Sequence, residues 1–132
     1  MADKFTLIVN TPDREFYRGD VTMLELTTSE GDIGVYAGHI PLTAVIVPGV
    51  MTIHTDEGSK KAAVHGGIIE ILQTQINVLA EVAEWPEEID VNRANEARIR
   101  AERRLKSGDA DVNIVRAEMA LKRSLARINA VD

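Results

Sequence analysis

The acidic and basic side chains between residues 84 and 94 have the types and spacing that could do chemistry. The segment reads EWPEEIDVNRA, and in it Asp90 precedes Arg93 by three residues at the start of a predicted helix. The simplest interpretation is an Asp90–Arg93 ion pair at i, i+3, worth a few tenths of a kcal/mol. A cation in the first turn opposes the helix dipole. The sharper interpretation therefore places an anion in front of Arg93.

Further arginines extend this basic surface along two predicted helices. Two of them lie seven residues apart on the first helix and three lie on the second: Arg93 and Arg100, then Arg116, Arg123 and Arg127. Clustered guanidinium groups repel one another unless an anion or a carboxylate lies between them, and their planar forks suit phosphate. Three carboxylates stand close by in the sequence: Glu84, Glu87 and Glu88. An internal network of ion pairs is therefore the alternative to a bound phosphate.

No catalytic constellation accompanies this basic surface. His39, His54 and His65 fall in or beside different predicted strands, without the ligand spacing of a zinc enzyme, and the chain has no cysteine. No serine lies in a nucleophile elbow. Gly66-Gly67 lacks the Lys-Ser/Thr that completes a phosphate loop. We expect ordinary surface or strand-end histidines, no metal and no enzyme.

Composition and charge exclude further classes of protein. The chain has 132 residues, no cysteine, no apparent signal peptide and no apolar run of membrane-spanning length, so we expect one or two small soluble domains, cytosolic or peripheral. Residues 1–86 carry five basic and twelve acidic side chains, whereas residues 93–132 carry ten basic and six acidic ones. The acidic part argues against nucleic acid binding, and the basic part lacks aromatic stacking platforms.

Short β-rich segments fill residues 1–86. They are separated by turn signals every 8–12 residues, and over residues 76–83 Ile76, Val78, Ala80 and Val82 alternate with Asn77, Leu79, Glu81 and Ala83. The predicted strands cover residues 5–10, 21–28, 33–36, 43–47, 50–54, 62–65, 68–72 and 76–83, with a turn at Arg18-Gly19-Asp20. This pattern predicts an antiparallel β-sandwich or barrel.

Helical periodicity replaces this pattern after Pro86. Asp90 is the predicted N-cap of a first helix, which ends at Ser107-Gly108, and Asp109 or Asp111 is the predicted cap of a second. The apolar faces are predicted to be Ala94, Ala97, Ala101 and Leu105 on the first helix, and Ile114, Ala117, Leu121, Leu125 and Ile128 on the second. We expect residues 87–132 to form an antiparallel hairpin. Because alanine buries little area, that hairpin should be marginally stable, with the Trp85-Pro86 junction as its hinge.

Two motifs carry a resemblance to a known family. Residues 31–42, GDIGVYAGHIPL, and residues 65–71, HGGIIEI, closely resemble the epsilon subunit of F-type ATP synthases, and the resemblance runs across essentially the whole chain. IDVNRA and the two helices resemble the bacillus-type branch. Ala37 and His65 depart from the usual proline and serine, and both lie in loops.

The resemblance implies a noncatalytic central-stalk subunit, peripheral on the cytoplasmic face of the cell membrane. Its sandwich would bind the gamma subunit and the ring of membrane c subunits. Its hairpin would either fold against the sandwich or extend toward the catalytic alpha and beta subunits and inhibit ATP hydrolysis. In the bacillus-type branch ATP binds the folded hairpin as a regulatory ligand, and the resemblance leaves open whether Mg²⁺ accompanies it. The matching positions are Glu84, Ile89, Asp90, Arg93, Ala94, Arg100, Arg123 and Arg127.

Two alternatives stay open on the sequence. The chain could serve the same stalk role without binding nucleotide, its arginines paired with acids. It could instead be a free-standing adaptor that recruits a partner through the basic hairpin.

Overall fold

A computed structural model describes residues 3–132 as a ten-stranded sheet followed by two helices. The strands, β1 to β10 in chain order, are Phe5–Asn10, Glu15–Val21, Met23–Thr28, Gly31–Tyr36, Leu42–Ile46, Gly49–Thr55, Gly58–Val64, Gly67–Ile71, Gln75–Ala80 and Ala83–Glu84. A short 3-10 helix at Pro86–Glu88 leads into α1 (Val91–Lys106) and α2 (Ile114–Val131). The predicted fold class, an antiparallel sandwich or barrel followed by a two-helix hairpin, is confirmed.

The sheet closes around one apolar core. Its strand order is β10-β7-β6-β3-β5-β8-β9-β1-β2, with β4 paired to β3, and every pairing is antiparallel except that of β1 with β9. Alternate residues of the strands point inward, as the period-two pattern requires. The largest fully buried side chains are Leu7, Leu24, Met51, Ile53, Ile69, Ile71, Ile76 and five valines.

Two strand predictions are corrected by the pairing. The predicted turn at Arg18-Gly19-Asp20 is wrong, because all three residues lie within β2 and pair with β1. The predicted strand over residues 21–28 is broken at Thr22, whose backbone N–H donates to the carbonyl of His54 instead. In both places long-range pairing overrides the local turn and strand preferences.

The helix caps agree with one prediction and correct another. Asp90 caps α1 as expected, its Oδ1 accepting a hydrogen bond from the backbone N–H of Arg93 at 3.1 Å. The cap of α2 is Asn113, which accepts from the N–H of Arg116 at 3.0 Å, and neither Asp109 nor Asp111 fills that role.

Helix α2 lies between the sheet and α1. Ala126 and Ala130 pack with Ala63 of β7 in a small apolar cluster. Ser124 and Ala117 are also buried. Residues 124 and 126 are two apart, about 200° around the helix, so α2 buries opposite faces against the sheet and against α1.

The apolar face predicted for α2 is therefore partly wrong. Ala117 is buried as predicted, but Ile114 and Leu125 are exposed, and Leu121 and Ile128 are only partly covered. The face predicted for α1 agrees better, since Ala94 and Ala101 are buried and Ala97 and Leu105 are half-buried. Small residues make the close contacts of the hairpin because they allow the backbones to approach.

Candidate functional site

The segment joining sandwich to hairpin is packed in place. The ring of Trp85 stacks on Phe16 with centroids 4.1 Å apart, Tyr17 meets it edge-on, and the ammonium of Lys60 lies over it. The backbone N–H of Trp85 donates to Glu88 Oε1 at 2.9 Å. The predicted hinge at Trp85-Pro86 is therefore held by aromatic packing in this conformation.

Directly beside this junction lies a cleft of about 440 Å³, a size common for small-ligand sites. Its lining comes from the junction and from both helices: Glu84, Glu88, Ile89, Asp90, Arg93, Ala94, Ala97, Arg100 and Arg127. Seven of the eight predicted site residues are thus brought together. The eighth, Arg123, is half-buried on α2 and does not line the cleft.

One side of the cleft is strongly cationic. Arg93 and Arg100 project from α1 one above the other, and Arg127 faces them from α2. Within residues 3–132, the guanidinium groups of Arg93 and Arg100 have neither a hydrogen-bond partner nor a carboxylate within ion-pair distance. The cleft therefore contains positive charge that the described chain does not neutralise.

Glu84 neutralises the third arginine. Its Oε1 accepts hydrogen bonds from Arg127 Nε and from His65 Nε2, both at 2.8 Å. Burial by itself would raise the pKa of Glu84, but the hydrogen bonds from His65 and Arg127 and the charge of Arg127 lower the pKa below its ordinary value. Glu84 is consequently ionised at neutral pH and holds sandwich and hairpin together.

Glu88 is held by Arg14, which directly precedes β2. Both of its carboxylate oxygens accept from Arg14 Nη2, at 2.7 and 2.8 Å. These bonds, together with the N–H of Trp85, lower the pKa of Glu88. The internal network expected as the alternative to a phosphate ligand therefore exists for Arg127, but it does not extend to Arg93 or Arg100.

Sequence reasoning missed three features of this region. Glu88 lines the cleft and was assigned only to the alternative ion-pair network. Ala97 lines the cleft too. Its position between Arg93 and Arg100 on the same helix could have indicated this. His65 was taken as an ordinary strand-end residue, and no local pattern indicated its contact with Glu84, nineteen positions away.

The described residues contain no group of three His, Cys, Asp or Glu side chains placed to hold a metal ion. No nucleophile with a base lies among the residues that form the cleft. Fold and cleft together define a two-part protein, in which a β-sandwich carries a small helical hairpin and a basic cleft lies at their junction.

Comparison with known proteins identifies the family. The model of the ATP synthase delta/epsilon chain β-sandwich domain matches residues 4–86, and that of the delta/epsilon chain long α-helix domain matches residues 87–132. The chain belongs to the delta/epsilon chain family of ATP synthase. Its members are structural and regulatory subunits and not themselves catalytic.

Similar proteins cover nearly the whole chain. The ATP synthase epsilon chain of Caldanaerobacter subterraneus subsp. tengcongensis is 43% identical over 129 residues, 97% of this chain and 94% of the relative. The epsilon chain of Bacillus licheniformis is 40% identical over 126 residues, 94% and 96% of the two chains.

Solved structures show the same fold. A chain of the Euglena gracilis mitochondrial ATP synthase superposes with a TM-score of 0.85 at 23% identity, covering 98% of this chain and 82% of that one. A chain from the Tetrahymena thermophila mitochondrial enzyme gives 0.65 at 15% identity, covering 99% and 98%. None of the helices in the described part of the chain has the length and apolarity needed to cross a membrane.

Proposed function

We propose that the chain is the epsilon subunit of the central stalk of a proton-translocating ATP synthase and that ATP, bound in the junction cleft, stabilises its folded hairpin. The epsilon chains to which it is about 40% identical support the first part. The Tetrahymena structure with the same fold is described as central stalk and c-ring, and the Euglena structure includes F1 and the c-ring. The proposed partners are the gamma subunit, the c-ring and the catalytic alpha and beta subunits, on the cytoplasmic face of the cell membrane.

An apolar stripe on the outside of the sandwich supports a role in an assembly. Val45 pairs with Ile68 and Ile68 with Leu79, so the three side chains form a row across β5, β8 and β9. Their exposed fractions are 56%, 46% and 55%. A continuous exposed apolar row on a sheet is typical of a surface that another protein covers. We assign this stripe to contacts with the other rotor subunits.

The observation that carries the ATP proposal is the pair of unpartnered arginines in a cleft built from both helices. Arg93 and Arg100 supply planar forks for phosphate oxygens. Asp90 uses Oδ1 to cap α1, and its other oxygen has no partner among residues 3–132, so it is available to accept from an adenine amino group. No group in the cleft would hydrolyse the nucleotide, so ATP acts here as a sensor ligand.

The same arrangement explains how ATP would select one conformation. A ligand shifts a two-state equilibrium only by its differential affinity for the two states. Because Arg93 and Arg127 come from different helices, their simultaneous contacts exist only when the hairpin is folded. Two or three charge-assisted hydrogen bonds, at about 1.5–3 kcal/mol each, suffice to oppose the contacts of an extended, hydrolysis-inhibiting hairpin.

The alternative without nucleotide draws its support from Glu84, which already pairs with Arg127. That interpretation would require the other two arginines of the cleft to find acids as well. Arg93 and Arg100 have none in the described chain, and this favours a ligand. The adaptor alternative is weakened by the family assignment over residues 4–132.

Calorimetric titration of the isolated chain with ATP tests the proposal. We expect saturable one-to-one binding that falls by about tenfold or more in Arg93→Ala, since one charge-assisted contact is lost. Arg103→Ala is the matched control, because Arg103 is exposed on the same helix and lies outside the cleft. The same titration with and without Mg²⁺ establishes whether the metal accompanies ATP.

Cap variants separate ligand contact from helix stability. Asp90→Ala and Asn113→Ala each remove one N-cap, but only Asp90 lines the cleft. We expect comparable losses of helix stability, about 1 kcal/mol, with abolished ATP binding in Asp90→Ala alone. Absence of heat at millimolar ATP in the unaltered chain would refute the sensor role and leave the stalk role intact.

A further inference from the structure

His65 is a buried side chain outside the lining of the cleft, and its backbone is pinned. It follows β7 directly, and its N–H donates to the carbonyl of Val82 at 2.9 Å. The next two residues, Gly66 and Gly67, both have positive φ, and a Cβ at Gly67 would lie 2.1 Å from the carbonyl oxygen of Leu79. The backbone conformation after His65 therefore requires glycine, and the hydrogen bond to Val82 holds His65 beside β10.

The imidazole makes one hydrogen bond. Nε2 lies 2.8 Å from Glu84 Oε1, the side chain is 2% exposed, and Nδ1 is buried with no partner in the described chain. Because an unsatisfied buried N–H is costly, the favoured tautomer carries its proton on Nε2 and donates it to the carboxylate. His65 thus fixes the position of Glu84 from the sandwich side.

Glu84 in turn fixes Arg127. Its Oε1 accepts from Nε of that arginine at 2.8 Å, and the terminal nitrogens have no partner within residues 3–132. Arg127 lines the cleft, so a guanidinium held by Nε keeps its outer edge available to an anion there. The contacts form a chain from β7 through β10 to α2.

We propose that His65 is a positioning residue for the cleft: through Glu84 it orients the Arg127 guanidinium toward an anionic ligand. The inference rests on the proposed function, in which that ligand is ATP. It makes the sandwich a contributor to ligand affinity although no sandwich side chain before Glu84 lines the cleft. It also means that Arg127 is oriented only when α2 is docked.

Two measurements on the full-length chain test the proposal. The first is the hydrogen-exchange rate of the Arg127 Nε–H by ¹⁵N NMR without nucleotide, and the second is the calorimetric affinity for ATP. His65→Leu removes the donor, and His65→Gln replaces it with an amide N–H. We expect His65→Leu to accelerate the exchange and to weaken ATP binding about tenfold, the loss expected for one charge-assisted hydrogen bond. His65→Gln should restore both.

The outcomes are decisive in each direction. Unchanged Arg127 exchange in His65→Leu would overturn the proposal, as would failure of His65→Gln to restore affinity in a folded protein, because a merely structural role predicts no such rescue. If His65→Leu does not fold, His65→Ser removes the same contact with a small polar residue. Absence of ATP binding in the unaltered chain contradicts the proposed function instead, and the exchange measurement still decides whether His65 orients Arg127.

Discussion

The sandwich and the hairpin are stabilised in different ways. The sandwich encloses fully buried leucine, isoleucine, valine and methionine side chains contributed by distant strands. The hairpin rests on the sheet mainly through Ala126 and Ala130 against Ala63, with Val50 and Ile89 at the edge, and through the ion pair of Arg127 with Glu84. Large apolar side chains resist separation, whereas a few methyl groups and a half-exposed ion pair do not. We therefore expect the hairpin to detach more easily than the sandwich unfolds.

A core substitution in the sandwich should have the largest effect. Ile53→Ala removes a fully buried side chain, and we expect the free energy of unfolding to fall by about 2–5 kcal/mol. Urea denaturation measures the change. Leu125→Ala on α2 is the control, and its exposed side chain should cost much less. Equal losses at the two positions would remove the proposed contrast between the two parts.

A larger side chain at the contact between α2 and the sheet should destabilise the hairpin and not the sandwich. Ala126→Leu places a larger side chain against Ala63, which costs about 1–3 kcal/mol. Because the contact is small, we expect the hairpin to detach while the sandwich stays folded. Native-state hydrogen exchange would show loss of protection over residues 114–131 with the β-strands unchanged. Lys122→Leu, at an exposed position of the same helix, should leave protection intact.

The sequence predicted the repeating features of this molecule and missed its long-range contacts. Strand alternation and regular turns were sufficient to predict the β fold, and the sequence correctly indicated Asp90 as the N-cap of α1. The segment 18–20 misled because glycine and aspartate favour turns locally, whereas pairing with β1 decides its structure. The cap of α2 was ambiguous because three capping residues crowd into residues 109–113.

The candidate site shows the same difference between helical spacing, which the sequence reveals, and long-range contacts, which it does not. Arg93 and Arg100 were placed together because helical spacing puts residues seven apart on one face. Arg123 had the same kind of support, but it lies one helical turn before Arg127 along α2 and does not line the cleft. Arg14 reaches Glu88 across 74 positions, and only the folded chain brings them together.

Removing the hairpin tests whether the sandwich is independent, as we propose for the division into residues 1–86 and 87–132. A chain ending at residue 87 loses cover over Ala63 and Val50 and the Arg14–Glu88 contact. We expect it to unfold cooperatively with only about 1–2 kcal/mol less stability, since the main core is untouched. Circular dichroism during urea denaturation measures this. A fragment without a cooperative transition would show that the two parts form one folding unit.

The smallest effect should come from the ion pair that joins the two parts. Glu84→Gln removes the charge opposite Arg127, and for a partly exposed pair we expect a loss of about 1 kcal/mol or less at neutral pH. Because folding lowers the pKa of Glu84, the stabilisation by this carboxylate is present above the ordinary pKa of 4.5 and is lost as the pH falls from there through the lowered pKa.

In the unaltered chain, docking of the hairpin should weaken over that pH range, as measured by hydrogen exchange over residues 114–131. The weakening should be shallower in Glu84→Gln, where Glu88 still titrates against Arg14. Glu81→Gln, an exposed carboxylate of the same loop region, should keep the full pH dependence. If Glu84→Gln kept it as well, the pH dependence of docking would come from other carboxylates such as Glu88, and the Glu84–Arg127 pair would contribute nothing to the attachment of the hairpin.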